Sequence, residues 1–150
     1  MTSSTNGMTK IKFRGPEGKY SETLWATPMG GDLYRLDNSP FFAYGVSWQD
    51  VVEAKKQEDD PFPDFCRCVT KSGNRTVRIV FEESRLSEPG AQSVLAQLVS
   101  IGCSYEGMQP RLVSVNVPAE VDLDHVARFL TSQSGLQWEH ADPTYDELHP

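Results

Sequence analysis

The chain has 150 residues, 38% hydrophobic and 10% aromatic, enough apolar surface for one average domain or two small ones sharing a core, which excludes disorder for its bulk. No run approaches the roughly 18 apolar residues of a membrane span. The net charge is −7, with residues 1–84 carrying 11 basic and 12 acidic groups and residues 85–150 carrying 3 and 9, which disfavours tight binding to nucleic acid or to an anionic membrane surface, because both need clustered lysine and arginine.

Residues 1–9 are polar, lack a basic-then-apolar signal pattern and read as a disordered N-terminus, with Met8 an alternative start to Met1. Ile11 and Phe13 share one face of a short stretch whose other face carries Lys10, Lys12 and Arg14, the pattern of a charged edge strand. Leu24 and Ala26 alternate with Thr23, Trp25 and Thr27, and the glycine pair Gly30-Gly31 joins this strand to Leu33–Leu36 as a hairpin. Asp37-Asn38-Ser39-Pro40 is a loop by composition. A strand, straight or bulged, is expected over residues 44–54, then a charged, proline-bounded loop over 55–63 and a strand over 65–70. Turn signals at this spacing predict a small antiparallel β-barrel or rolled sheet for residues 10–74.

In residues 75–142 the periodicities are cleaner. Val77, Ile79 and Phe81 alternate as a strand. Ala91, Val94, Leu95, Leu98 and Ile101 keep helical spacing, with Ser87 as N-cap, Pro89 in the first turn and Gly102 as terminator. Residues 103–106 form a strand, 107–110 a turn, and Val113, Val115 and Val117 one face of the next strand. Asp122 caps a second helix with a stripe of Leu123, Val126, Ala127 and Leu130; Gly135 ends it, residues 136–140 form a last strand and 143–150 a tail. The fold class expected is therefore α+β: a ferredoxin-like βαββαβ unit packed against the β-rich front part.

The stretch YRLDNSPFFAYGVSWQDVV at residues 34–52, with Glu22-Thr23-Leu24-Trp25-Ala26 before it and Ser72-Gly73-Asn74-Arg75-Thr76 after it, resembles a bacterial family known as domain of unknown function 4265. The resemblance covers most of residues 22–142 and implies bacterial origin. It brings no established activity.

Phe41, Phe42, Tyr44 and Trp48 lie within eight residues and are expected to form a small core joining the two halves, since aromatics dominate small cores. Their alternative is a ligand seam made of Asp37, Phe42, Tyr44, Trp48 and Arg78. Cys66 and Cys68 would share a strand face, and with Cys103 they read as buried, inert thiols; an odd cysteine count without a signal peptide fits a reducing cytoplasm. Neither a metal site nor a cofactor is expected, as no motif for either occurs. Arg67, Lys71, Arg75 and Arg78 read as a solvated face paired to Glu82 and Glu83.

Glu120, Asp122, Asp124, Glu139, Asp142, Asp146 and Glu147 would make an acidic C-terminal surface. Asp122, Asp124, Glu139 and Asp142 are its candidate partner-binding residues. The leading expectation is a non-enzymatic protein-interaction protein of the cytoplasm, in its most concrete form an immunity-type inhibitor that binds a basic bacterial toxin. A small-molecule-binding regulatory module is the alternative, and a small enzyme using Asp37, Asp50 or His125 for proton transfer the third.

Overall fold

Alternation in the first strands is satisfied by a barrel. In the computed structural model, which describes residues 7–18, 21–87, 90–108 and 111–150, β1 (Thr9–Arg14) pairs antiparallel with β2 (Ser21–Gly30), β2 with β3 (Leu33–Leu36), β3 with β4 (Val51–Lys55) and β4 with β5 (Asp64–Thr70). The ring closes through a parallel contact of β1 with β5, where the Lys12 amide donates to the Pro63 carbonyl at 2.9 Å. Thus β1 is not an edge strand. Two of its cations meet carboxylates: Lys12 bonds Asp60, and Arg14 reaches Asp60 and Asp64 at 3.3 Å; Lys10 lies over the Trp25 ring. Ile11, Phe13, Leu24, Ala26, Leu36, Val52 and Ala54 fill the interior, each large aliphatic among them stabilising the barrel by about 1.5–3 kcal/mol.

The second body is a four-stranded antiparallel sheet in the order β7-β8-β6-β9, made of β6 (Arg75–Phe81), β7 (Ser104–Met108), β8 (Leu112–Val117) and β9 (Leu136–Asp142). Helices α1 (Gly90–Ile101) and α2 (Leu123–Ser132) follow β6 and β8. Both bury their predicted stripes against the face carrying Val77, Ile79, Phe81, Val113, Val115 and Val117. The protein is therefore a mixed α+β structure with a closed barrel and a separate antiparallel sheet, and no helix of the described residues is long and apolar enough to cross a membrane.

Asp122 caps α2 as expected, its carboxylate accepting the Asp124 amide at 3.0 Å. α1 is described from Gly90; residues 88–89, which link it to Ser87, the expected N-cap, and include Pro89, expected in the first turn, lie outside the described residues, as do residues 1–6 and the end of the 107–110 turn. Glycine is required at Gly90, where a Cβ would stand 1.9 Å from the Arg85 carbonyl oxygen. The tail is not featureless. A short helix α3 (Tyr145–Leu148) is started by a capping box in which the Glu147 amide donates to Thr144 Oγ1 and the Thr144 amide to Glu147 Oε1.

The largest departure from expectation is at residues 44–50, which form no strand. Gly45 (φ 81°) and Gln49 (φ 70°) take left-handed conformations that a strand cannot hold, and Asp50 accepts the Ser47 amide at 2.9 Å in a local turn. Residues 37–50 run instead as an irregular strap between the barrel and the sheet face opposite the helices. Ala43 and Val46 of the strap enter the barrel core. Its aromatic side chains do not, so they are no joining core: Phe41, Phe42 and Trp48 are half-buried and Tyr44 is 51% exposed.

Candidate functional site

Carboxylates hold the strap at three points. Glu22 of β2 accepts the amides of Phe41, Phe42 and Ala43 at 2.7–3.0 Å. Glu106 of β7 accepts the Ser39 amide at 2.8 Å and the Asn38 side-chain amide at 3.2 Å. The third point is ionic. Lys71 Nζ lies 2.7 Å from Asp50 Oδ2 and 2.5 Å from Asp142 Oδ2, and it also donates to the Gly45 carbonyl at 3.1 Å. Ser47 Oγ donates to Asp142 at 2.6 Å and lies 2.7 Å from Thr76 Oγ1. Asp50 is fully buried and Asp142 5% exposed, so each needs the ammonium beside it. Burial works to lower the Lys71 pKa, but the hydrogen bonds to Asp142 and Asp50 outweigh it and raise the value. This triad ties strap, inter-module turn and β9 together.

A second cluster sits further along β6 and β9. Arg78, 3% exposed, donates from Nε to Glu139 at 3.1 Å and from Nη1 to the Ala43 carbonyl at 2.7 Å. The Tyr44 ring lies over the guanidinium at 4.5 Å, and the Tyr44 hydroxyl donates to Glu139 at 2.7 Å. Burial and the Glu139 hydrogen bond raise the phenol pKa. Arg78 Nη2 is buried without a partner among the described residues. Charge balance within the cluster is carried by one arginine and one glutamate.

Two clefts adjoin this cluster and share Trp138 and Glu139. The larger, about 750 Å³, is walled by Tyr44, Trp138 and Tyr145, with Glu139, Asp146 and His140 contributing polar groups. The smaller, about 440 Å³, lies over Arg78 between Phe41, Phe42, Val80 and Leu112. Both fall in the size range of small-molecule sites. Trp138 and His140 meet edge to face at 4.8 Å, and Tyr145 stacks on His149 at 4.2 Å. Burial, reinforced by His149, lowers the His140 pKa, and its Nδ1 is buried with no partner among the described residues. A neutral imidazole with an unused nitrogen therefore borders the larger cleft.

Of the expected seam, Phe42, Tyr44 and Arg78 do converge here. Asp37 and Trp48 do not; they line a separate, smaller cleft of about 250 Å³ beside Glu106 and Asn116. The acidic surface is smaller than its sequence suggests, because Asp142 is buried on Lys71 and Glu139 is paired with Arg78; of the four candidate partner-binding residues this leaves Asp122 and Asp124 at the start of α2, with Glu120, Asp146 and Glu147 also exposed. The basic residues form no common face. Arg67 pairs with Glu53, Lys71 with Asp50 and Asp142, Arg78 with Glu139, and Arg75 caps the carbonyls of Val117, Pro118 and Val121. Register shifts in the β4–β5 ladder separate the two thiols of β5: Cys68 packs on the barrel core, whereas Cys66 is exposed, so only Cys103 is fully buried.

The proton-transfer candidates are dispersed, with Asp50 inside the ionic triad, Asp37 exposed at the start of the strap and His125 exposed on α2. No group of three or more His, Cys, Asp or Glu side chains among the described residues is arranged to hold a metal ion. Sequence reasoning missed Trp138, His140, Tyr145 and Asp146 as site residues. Thr144 followed three residues later by Glu147 was the available signal that the tail folds back as a helix.

Barrel, strap and sheet together define a two-part α+β protein with its clefts at the junction. The chain belongs to the family described as domain of unknown function (DUF4265), whose model matches residues 22–141. None of the curated proteins matches it. Among solved structures, one described as a hypothetical protein from Neisseria gonorrhoeae is similar, with a TM-score of 0.72 and 18% identity over 93% of this chain and 96% of that one. At that identity the likeness speaks for the fold alone.

Proposed function

We propose that this protein is a small-molecule-binding regulatory module whose site is the pair of clefts around Arg78, Glu139 and Trp138. One observation carries the reading. The strap rings Phe41, Phe42 and Tyr44 enter neither core, and with Trp138, which packs at the margin of the sheet core, they wall two adjoining ligand-sized clefts beside a buried arginine and a histidine. Large half-exposed rings around convergent polar groups are the usual make-up of a ligand site. A thermal-shift screen of metabolites tests it: ligands should raise the melting temperature by mass action, and Tyr145→Ala, which removes an exposed ring, should abolish the shift without lowering the unliganded value. Hits indifferent both to Tyr145→Ala in the larger cleft and to Phe41→Ala in the smaller, or no hits, would reject the site.

The fold supports a finer reading of the C-terminal part as a ferredoxin-like unit. Supporting it are the order β7-β8-β6-β9, antiparallel neighbours throughout, and helices after β6 and β8 packed on one face. Docking to a basic protein, including the immunity-type form, is a second proposal, favoured by the exposed Asp122 and Asp124 in a C-terminal half of net −6. Association with a basic partner should then slow several-fold in Asp124→Lys at low salt; an unchanged rate would reject it.

A further inference from the structure

We propose that the larger cleft takes an organic cation, an ammonium or quaternary ammonium group with small apolar substituents; this rests on the reading of the cleft as a ligand site and names its ligand class. Three aromatic walls, Tyr44, Trp138 and Tyr145, come from three different elements, the strap, β9 and α3, and surround one concavity. Aromatic faces attract cations through their quadrupole, tryptophan most strongly. Two carboxylates, Glu139 and Asp146, line the same space, and no lysine or arginine among the described residues does so.

The one cation close by, Arg78, is withdrawn behind the Tyr44 ring, and its charge is met by Glu139 at 3.1 Å. Tyr44 and Tyr145 are consequently weaker walls than Trp138, since one face of Tyr44 is used by Arg78 and one face of Tyr145 by His149. Asp146 then supplies negative charge that no ion pair offsets among the described residues. An anionic ligand would meet two carboxylates and no basic side chain on the wall besides the imidazoles of His140 and His149, which disfavours it by like-charge repulsion in a partly desolvated site. Burial lowers the His140 pKa, so it adds no opposing charge at neutral pH. The volume exceeds that of a bare metal ion, and the ring walls offer no hard oxygen cage for one.

The test is isothermal titration of the full chain with choline and with its uncharged isostere 3,3-dimethylbutan-1-ol, at constant ionic strength. Choline should bind, and the isostere about tenfold more weakly or not at all, as expected when a desolvated cation–π contact contributes. Asp146→Asn and Tyr145→Ala should each weaken choline several-fold while leaving the unliganded melting temperature unchanged. Equal binding of choline and its isostere, or choline binding insensitive to both variants, overturns the cation assignment. If choline, tetramethylammonium and primary amines all fail while an anionic or neutral metabolite binds in a Tyr145-dependent way, the ligand class is wrong and the ligand-site reading stands. Failure of every ligand class removes both.

Discussion

Lys71 has an unusual position for a half-exposed lysine, because two buried carboxylates depend on it. Lys71→Met leaves Asp50 and Asp142 facing each other with no counter-charge, and urea unfolding should show a loss of about 2 kcal/mol, below the ~3–5 kcal/mol of fully buried pairs because water reaches the ammonium. The Lys71 pKa is raised in the fold, so its stabilisation is complete below the ordinary lysine value of about 10.4 and is lost as pH rises through the higher folded value. His140 acts at the other end of the pH scale. Its depressed pKa means the unfolded chain binds a proton that the folded chain refuses, so stability falls as pH drops below about 6.5 toward the folded value. His140→Phe should flatten the unfolding midpoint between pH 7 and 5. The thiols separate by reactivity as well. Cys66 should react with a thiol reagent in the native protein, whereas Cys103, pushed up to about 11 by burial, should react only on unfolding.

At the scale of elements, legibility followed the range of the forces involved. The stripes of α1 and α2 and the alternation of β6 and β8 are local, and Asp122 and Gly102 punctuate them from neighbouring positions, so the sequence displays them. The strap is different. Its path is set by Glu22, Glu106, Lys71 and Asp142, partners tens of residues away, and no periodicity encodes such contacts. The same holds for the closure of the barrel, which turns an apparent edge strand into an interior one. Phe42, Tyr44 and Arg78 were legible as a seam because an aromatic cluster and a strand arginine are unusual in a small chain; Trp138 and Tyr145 were hidden by an ordinary strand and a short tail. α3 was missed for a weaker reason, since Thr144 and Glu147 announce it. Thr144→Ala should cost about 1 kcal/mol locally, loosening Tyr145 and weakening ligand binding while the global melting temperature changes little; titration beside a thermal scan separates the two effects.

At the scale of the whole molecule there are two hydrophobic cores and one polar junction. Neither core is large, and a junction of buried ion pairs and amide–carboxylate bonds has directionality that apolar contact lacks. The two bodies should therefore unfold as one unit. Variants retaining only Trp25, in the barrel, or only Trp138, in the sheet, should report coincident urea midpoints, and the added Lys71→Met change should pull them apart.

The junction also has a consequence for synthesis. Asp50 and Lys71 leave the ribosome well before Asp142, the last residue of β9, so the barrel emerges with a lysine that has one of its two carboxylate partners and a strap still lacking its contact to the sheet. The nascent barrel must wait for almost the whole chain before its strap is anchored, which makes the final strand the step that commits both halves at once.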